Sequence, residues 1–483
     1  MVIYVSMVKE TLNKSQYFLS RHAGASQHPV SNSFDWILAC ASMTVKILVQ
    51  RFPKDMGNSE QIVRPCIRII CAFALIGCGM VARAAEWQVG PGESITEAIR
   101  AAGAGDVILV KRGYYVDHVI IDKPITLRGV NRPTISGDGQ GDVIRIKSPN
   151  VVIEGCIIRD SGSDLTAQNA GVYIEPGAHN AVVRHNDLNY NLFGLWIEKA
   201  NDVVIEGNII TGKRDLQSAQ RGNGIQLYNT TGAQILDNHI SFTRDGIYVD
   251  VSHHAVFRGN RMHHLRYGTH YMNSNDNLWE HNESWLNRGG LALMEVRDQT
   301  VRHNITWGNA DHGIMLRTIQ DSLIEDNIVI DNGKGLFIYD AEYNTIRNNL
   351  VAGNRVGVHL WAGSYINQVD GNDFIQNEQQ VRYGATRDVV WGEQAGNYWS
   401  NYTGWDRDGN GSGDVPYAAN DIVDRLVWRH PYVKLLLNSP AVQTLRLIAE
   451  QFPLLRAPSV VDDRPHMRPR HTDWSNQLAR TRH

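Results

Sequence analysis

A short phrase, an apolar stretch ending in Asn and followed eight residues later by Gly and alternating apolar residues, recurs about every 22 residues along most of this chain. The Asn positions are Asn186, Asn208, Asn238, Asn260, Asn282, Asn304, Asn327, Asn349 and Asn372. The Gly positions are Gly171, Gly194, Gly224, Gly246, Gly268, Gly290, Gly313, Gly335 and Gly357. Steps are 22 or 23 residues except for one of 30 in each series, and a single insertion, Thr211 to Gly222, accounts for both. A period this constant reports one repeated structural unit and decides the fold before any single residue is weighed.

Behind each Gly the pattern has period two, as in Leu195 and Ile197, Ile225 and Leu227, Ile247 and Val249, or Leu336 and Ile338. These side chains point inward from a short strand. A second apolar run precedes each Asn, so each unit turns through two or three parallel sheets. The predicted fold is all-β: a right-handed parallel β-helix with coils of about 22 residues. About nine or ten coils at ~4.8 Å give a rod roughly 45 Å long. The Asn series is expected to form an interior ladder, because buried turn amides must be paired.

Ser94 to Glu97 reads as a capping box, with Ile95, Ala98, Ile99 and Ala102 on one helical face and Gly103 as C-cap. That short amphipathic helix would cover the first coil, whose open edge otherwise invites aggregation. The strand Val107 to Val110 is expected to begin the stack.

With 42% hydrophobic content the 483 residues can bury a large core, and a net charge of −3 points to no polyanion and no nucleic acid. No phosphate-cradling Gly-rich motif is present. Residues 64–84 read as a secretory signal, with Arg64 and Arg68 before an apolar run and Ala82-Arg83-Ala84 as an A-x-A site. Met56 lies at an ordinary distance upstream and is the expected start, which makes 1–84 a leader. Four of five cysteines fall within it, and only Cys156 would survive, so no internal disulfide is expected. The remaining chain divides into cap and first coils (85–130), β-helix repeats (131–400), an Asp/Gly-rich calcium-like loop (401–430), and C-terminal amphipathic helices with a disordered tail (431–483).

If Gly+1 and Gly+3 point inward, Gly+2 and Gly+4 point out, where a purely structural rod would carry Thr, Ser, Lys and Glu. Here the outward stripe contains Tyr173, Trp196, Tyr228, Tyr248, His270, Met272, Met294, Met315, Phe337, Tyr339, His359 and Trp361. Such a stripe is a contact surface for a ligand or partner, unless the protein's own loops cover it. Two chemistries compete on it. Glu175 and Glu198 on successive coils, with Asp250 further along, have the ~5 Å carboxylate spacing of a retaining glycosidase beside aromatic platforms. Against this stands an ordinary pair of surface acids. His270, Met272, Met294 and Met315 instead suit Cu(I), which takes imidazole and thioether ligands, or bland packing against a partner. The doublets His253-His254 and His263-His264 lie nearby, but alternate strand residues face opposite ways, so neighbours should not ligate together.

Asp406, Asp408, Asn410 and Asp414 place oxygen ligands as in the first half of a Ca²⁺ loop, although Tyr417 stands where a bidentate Glu belongs. The alternative is an Asp/Gly turn held by its own hydrogen bonds. Tyr432 to Leu455 is helical in period, interrupted by Pro440 and too charged to span a membrane. It reads as one or two amphipathic helices that lie on a membrane or grip another protein, or else cap the last coil. The Arg- and Pro-rich end beyond Ala457 reads as disordered.

Three runs carry a family resemblance. Ser252-His253-His254 to Asn260 and Leu265-Arg-Tyr-Gly-Thr-His270-Tyr-Met272 to Asn277 form the first. Asn397-Tyr-Trp399 with Gly404-Trp-Asp406 to Tyr417 forms the second, and Leu437 to Pro440 with Pro465 to Pro469 the third. Over roughly residues 85–469 the chain resembles NosD, the periplasmic β-helix protein of nitrous oxide reductase maturation. It departs at the insertion 211–222, at Met294-Glu295 and at His466. The resemblance implies a non-enzymatic periplasmic subunit working with an ABC transporter permease and ATPase. It would receive copper from a copper-chaperone lipoprotein and present it, or a transported sulfur species, to nitrous oxide reductase. The C-terminal helices would dock the permease at the membrane surface. The competing reading is a secreted polysaccharide-active β-helix, a lyase, epimerase or glycoside hydrolase.

Overall fold

The computed structural model describes residues 84–361, 363–385, 387–452 and 458–480. The expected leader, its signal and its start lie outside the described residues. From Glu86 to Trp399 the chain winds as a right-handed parallel β-helix of three sheets with 13, 12 and 13 strands. Each coil contributes one strand to the Gly-run sheet, one to the sheet that precedes the ladder Asn, and one to the sheet that follows it. The stack is longer than expected, roughly 58 Å for 13 strands at ~4.8 Å, because coils before the first Gly repeat share its register. It begins with Glu86–Val89 paired to Val107–Val110, one strand earlier than the apolar pattern suggests. No boundary falls at residue 130, since Thr126–Gly129 and Thr134–Ser136 belong to continuous sheets.

The inward positions pack as the period-two pattern requires. Leu195, Ile225, Ile247, Thr269, Leu291, Ile314, Leu336 and Val358 form one in-register column through the Gly-run sheet and all are buried. The Gly column answers a close approach. A Cβ on Gly246 would stand 2.5 Å from the Gly268 carbonyl oxygen, and one on Gly335 would stand 2.6 Å from that of Gly357.

Every ladder Asn follows a residue in the left-handed region, such as Asp237, Gly259, His281 or Asn348. That conformation turns the chain sharply between two sheets and aims the amide inward. Asn282 is typical. Its oxygen accepts the Asn260 N–H at 3.0 Å while its Nδ2 donates to the Phe257 carbonyl and to Asn304 Oδ1, both at 2.9 Å. The ladder ends on Asn397, whose backbone and side-chain N–H groups donate to Asp462 Oδ2 at 2.9 and 3.0 Å. A second ladder, Asn287, Asn309, Asn332, Asn354 and Asn377, lines the corner before the Gly runs.

Both ends are closed. Helix α1 (Ile95–Ala101) is capped by the Ser94 hydroxyl, which accepts the Glu97 N–H at 3.3 Å, and buries Ile95 and Ile99. Its C-cap is Ala102 rather than Gly103. At the other end residues 458–480 are folded, against the expectation of disorder beyond Ala457. Val460–Asp462 joins Val389–Trp391 and Tyr417–Ala418 in a small sheet. Helix α2 (Ile422–Arg429) buries Val423 and donates from Arg425 Nη2 to the Ala385 carbonyl at 2.9 Å, and helix α3 (Pro440–Gln451) follows it. Pro440 starts α3 as an N-terminal Pro and does not break a helix. The final helix, α4 (Trp474–Arg480), returns to the rod and packs Trp474 and Leu478 against Ile330, Leu350 and Ile375.

Candidate functional site

The outer faces of the three sheets differ in chemistry. The sheet before the ladder Asn carries ion pairs of an ordinary solvated rod, including Arg184–Glu154 at 2.7 Å and Arg302–Glu280 at 2.8 Å. The Gly-run sheet carries the aromatic, Met and His stripe in two columns. One runs Tyr173, Trp196, Gln226, Tyr248, His270, Ala292, Met315, Phe337, His359. The other runs Glu198, Tyr228, Asp250, Met272, Met294, Arg317, Tyr339.

Coverage varies along the stripe. Tyr173 is only 7% exposed because Phe193, Leu192 and the inserted loop's Leu216 close over it. Self-cover therefore wins at that end. Further along, the His359 ring contacts Phe337 and Trp361, with centroids 5.2 and 5.3 Å away, and Trp361 remains 51% exposed. Burial, then the Arg382 and Lys334 charges, push the His359 imidazole down to about 4, so it stands neutral in that cluster.

Between these ends lies an open cleft of about 560 Å³ walled by Trp196, Tyr228, Tyr248 and His270, with Glu198 and Asp250 on its rim. Its floor holds a group that stripe positions alone do not reveal. Asp245, fully buried, pairs with the Arg266 guanidinium through Nε at 2.8 Å and Nη2 at 2.5 Å, and with His270 Nδ1 at 3.1 Å. Burial alone would raise the Asp245 carboxyl, and the bonds from Arg266 and His270 outweigh it and hold it below the ordinary range. His270 Nδ1 lies 3.1 Å from Asp245 Oδ2 and 3.1 Å from Arg266 Nη2, so this buried ion pair holds the Nδ1 edge of the ring in place. Asp245 and Arg266 sit one and two residues before repeat glycines, and a search of positions before each Gly would have found them.

The soft side chains gather around one small residue. Ala292 points outward yet has 0% exposure, with His270 and Met315 on the coils either side and Met294 two positions along its own strand. Met272 is directly paired with Met294. Met272 Sδ accepts the Tyr248 hydroxyl at 3.8 Å and Met294 Sδ lies 3.9 Å from Arg317 Nη1. His270, Met272 and Met294 thus share two adjacent coils, and imidazole and thioether are the donor types that a soft monovalent cation takes. Met315 lies two coils from His270, ~10 Å in Cα spacing, and reaches the group only diagonally through Met294.

The other candidates separate. Glu175 does not face a bare carboxylate: Arg145 Nη1 holds it at 2.8 Å and Lys147 at 3.6 Å, while Glu198 accepts the Tyr173 hydroxyl at 2.8 Å. Asp250 accepts Asn273 Nδ2 at 3.1 Å. In the calcium-like loop the oxygens accept loop amides: Asp406 takes the Gly409, Asn410 and Gly411 N–H groups, Asp408 takes Asn410, Asn410 takes Ser412 and Asp414 takes Arg407. These bonds are those of an Asp/Gly turn.

His263 and His264, expected to face apart, approach to 2.6 Å between their Nδ1 atoms because His264 takes a left-handed φ of 57°. His239 Nε2 lies 2.8 Å from His263 Nε2. One ring thus meets its two neighbours through opposite nitrogens and the three do not converge on a point. Among the described residues no group of three or more His, Cys, Asp or Glu side chains is arranged to hold a metal ion. His253 serves the backbone, its Nδ1 accepting the Asn275 N–H at 3.1 Å. Beyond the coils Leu435 is 85% exposed, and Tyr432, Leu436, Leu447 and Phe452 are exposed beside it, so this segment does not cover the last coil. No described helix is long and apolar enough to cross a membrane.

A right-handed β-helix family model matches residues 120–219, and the family model described as periplasmic copper-binding protein (NosD) matches residues 206–404. The probable ABC transporter binding protein NosD of Stutzerimonas stutzeri is 40% identical over 372 residues, covering 74% of this chain and 85% of the relative. Its counterpart in Pseudomonas aeruginosa is 40% identical over 385 residues, covering 77% of this chain and 90% of that relative. Among solved structures the Dettilon tailspike protein superposes with a TM-score of 0.52 at 14% identity, over 62% of this chain and 69% of that one, a likeness of fold alone. The register of the coils, the three signature runs and these two relatives agree, and the chain belongs to the NosD family.

Proposed function

We propose that this chain is a non-enzymatic periplasmic accessory protein for nitrous oxide reductase maturation. Cu(I), taken from a copper-chaperone lipoprotein, is held transiently at the stripe and passed to the reductase. The observation that carries this reading is the grouping of His270, Met272 and Met294 over Ala292, with the buried Asp245–Arg266 pair holding the Nδ1 edge of the imidazole. Thioether and imidazole donors with no carboxylate among them favour Cu(I) over harder divalent ions. An aromatic surround supplies the contact area a protein partner needs.

The relatives' name, ABC transporter binding protein, supports a transporter permease and its ATPase as the membrane partner. The exposed apolar side chains between Tyr432 and Phe452 suit docking to that permease or to the membrane surface around it. The reading is tested by deleting the gene and measuring the copper content of the purified reductase. A reductase lacking copper is expected, restored by the wild-type chain and not by one carrying Met272→Ala with Met294→Ala. A fully loaded reductase from the deletion strain would sink the proposal.

A further inference from the structure

Arg244, Arg266 and Arg288 occupy the same place on three successive coils, two residues before Gly246, Gly268 and Gly290. The coils stack through backbone bonds here, the Arg266 N–H donating to the Arg244 carbonyl at 2.7 Å, so three guanidinium groups leave the rod at intervals of ~4.8 Å. The insertion brings a fourth. Arg221 is pinned to it by Nε on the Leu216 carbonyl at 2.8 Å and Nη2 on the Arg214 carbonyl at 3.0 Å. The four arginines, with His264, Leu265, Ser218 and Ala219, line an open groove of about 470 Å³.

Charge in this groove is unbalanced. Arg266 is neutralised by Asp245 beneath it. Arg244 and Arg288 have no side-chain hydrogen bond or ion pair among the described residues, and no acidic residue lines the groove. A chain of net charge −3 has therefore concentrated like charges against their mutual repulsion. No aromatic ring other than His264 lines it, which gives a base or sugar nothing broad to stack on. The groove is open along the rod, and it shares Arg244 and Arg266 with the stripe cleft. A macromolecule seated on the stripe would cover both.

We propose that the groove docks an acidic segment of a partner protein, one presenting two or more carboxylates to the planar forks of Arg244 and Arg288. The proposal rests on the stripe being a protein contact face, and adds the charge of what meets it. The insertion, which interrupts the repeat once, supplies Arg221 and closes one wall, so the groove reads as an addition to a rod that is complete without it.

The test uses fluorescein-labelled hexaglutamate and the full-length exported chain, read by fluorescence anisotropy. Binding is expected, weakening steeply between ~50 and ~200 mM salt and about tenfold in Arg244→Gln with Arg288→Gln. Neither side chain supports the fold, so an unchanged thermal midpoint should accompany the loss. Unlabelled hexaglutamate should displace the probe, and inorganic sulfate at matched ionic strength should not. Equal binding by wild type and variant overturns the proposal, as does a groove that takes sulfate and ignores hexaglutamate. Cu(I) retention measured on the same variant stays at the wild-type level if the metal group is separate, so a failed groove and a failed metal site give different results.

Discussion

At the residue scale, Asp245 has the largest consequences. It is buried, it orients His270 and it balances Arg266, so Asp245→Asn leaves a half-buried guanidinium without its counter-charge. We expect a loss of about 3 kcal/mol in unfolding free energy, measured by urea denaturation, and weaker Cu(I) retention. A neutral loss of stability below ~1 kcal/mol would show that water already shares that site.

His359 gives a pH signature. Its folded value, about 4, lies below the unfolded value of 6.5, so the unfolded chain binds more protons between the two. The stability from keeping this ring neutral is complete above pH 6.5 and falls away as pH drops toward 4. Thermal midpoints should fall across that window, and His359→Gln should flatten the fall. An unchanged slope would place the acid sensitivity on other groups, His263 first, which burial and its His239 and His264 neighbours also bring down to about 4. The buried Cys156 thiol, raised to about 12 chiefly by burial, should resist alkylation in the folded chain.

Among elements, the Asn ladder and the Gly column were legible in the sequence because one requirement is repeated on coil after coil. Asn282→Ala would leave the Asn260 N–H and the Phe257 carbonyl without their partners, at a cost of about 3 kcal/mol. Gly246→Ala would drive a methyl against the backbone of the next coil and should cost about 1–3 kcal/mol. Either variant unfolding at the wild-type midpoint would refute the close-stacking account.

The C-terminal tail was not legible, and the reason is physical. Val460–Asp462 has no periodicity of its own and is ordered by what it caps, since Asp462 accepts from Asn397 and also from Trp399 Nε1 at 2.9 Å. Composition registers Arg and Pro but not a contact made 65 residues away. Asp245 is hard to read from the sequence for a related reason. Inward and outward alternation is defined after each Gly, and the corner before it follows no alternation, so its chemistry shows only when the positions before successive glycines are compared with one another. The outward direction of Trp196, Tyr228, Tyr248 and His270 in the cleft, and of Met272 and Met294 beside it, follows from the alternation after each Gly; Tyr173 points outward too, but the insertion buries it.

For the whole molecule, closure at both ends alters how docking must be examined. Because α4 and Val460–Asp462 fold back on the rod, truncation after Pro431 would strip the cap as well as the exposed helices. Leu435→Glu with Leu436→Glu changes only exposed side chains. That variant should keep its thermal midpoint and lose co-purification with the permease, and survival of the complex would place docking elsewhere. The rod as a whole sets soft donors, aromatic rings and cations on one face at the coil spacing, while ion pairs fill another.

The proposed copper-holding group is His270, Met272 and Met294 over Ala292. Cu(I) held by the exported chain is titrated with a competing chromophoric chelator, for the wild type and for His270→Ala, Met272→Ala and Met294→Ala singly and together, with Met315→Ala alongside. Retention is expected to fall with each of the first three, to vanish in the triple variant and to change least in Met315→Ala. Wild-type retention in the triple variant would contradict the assignment of this face as the place where copper is held.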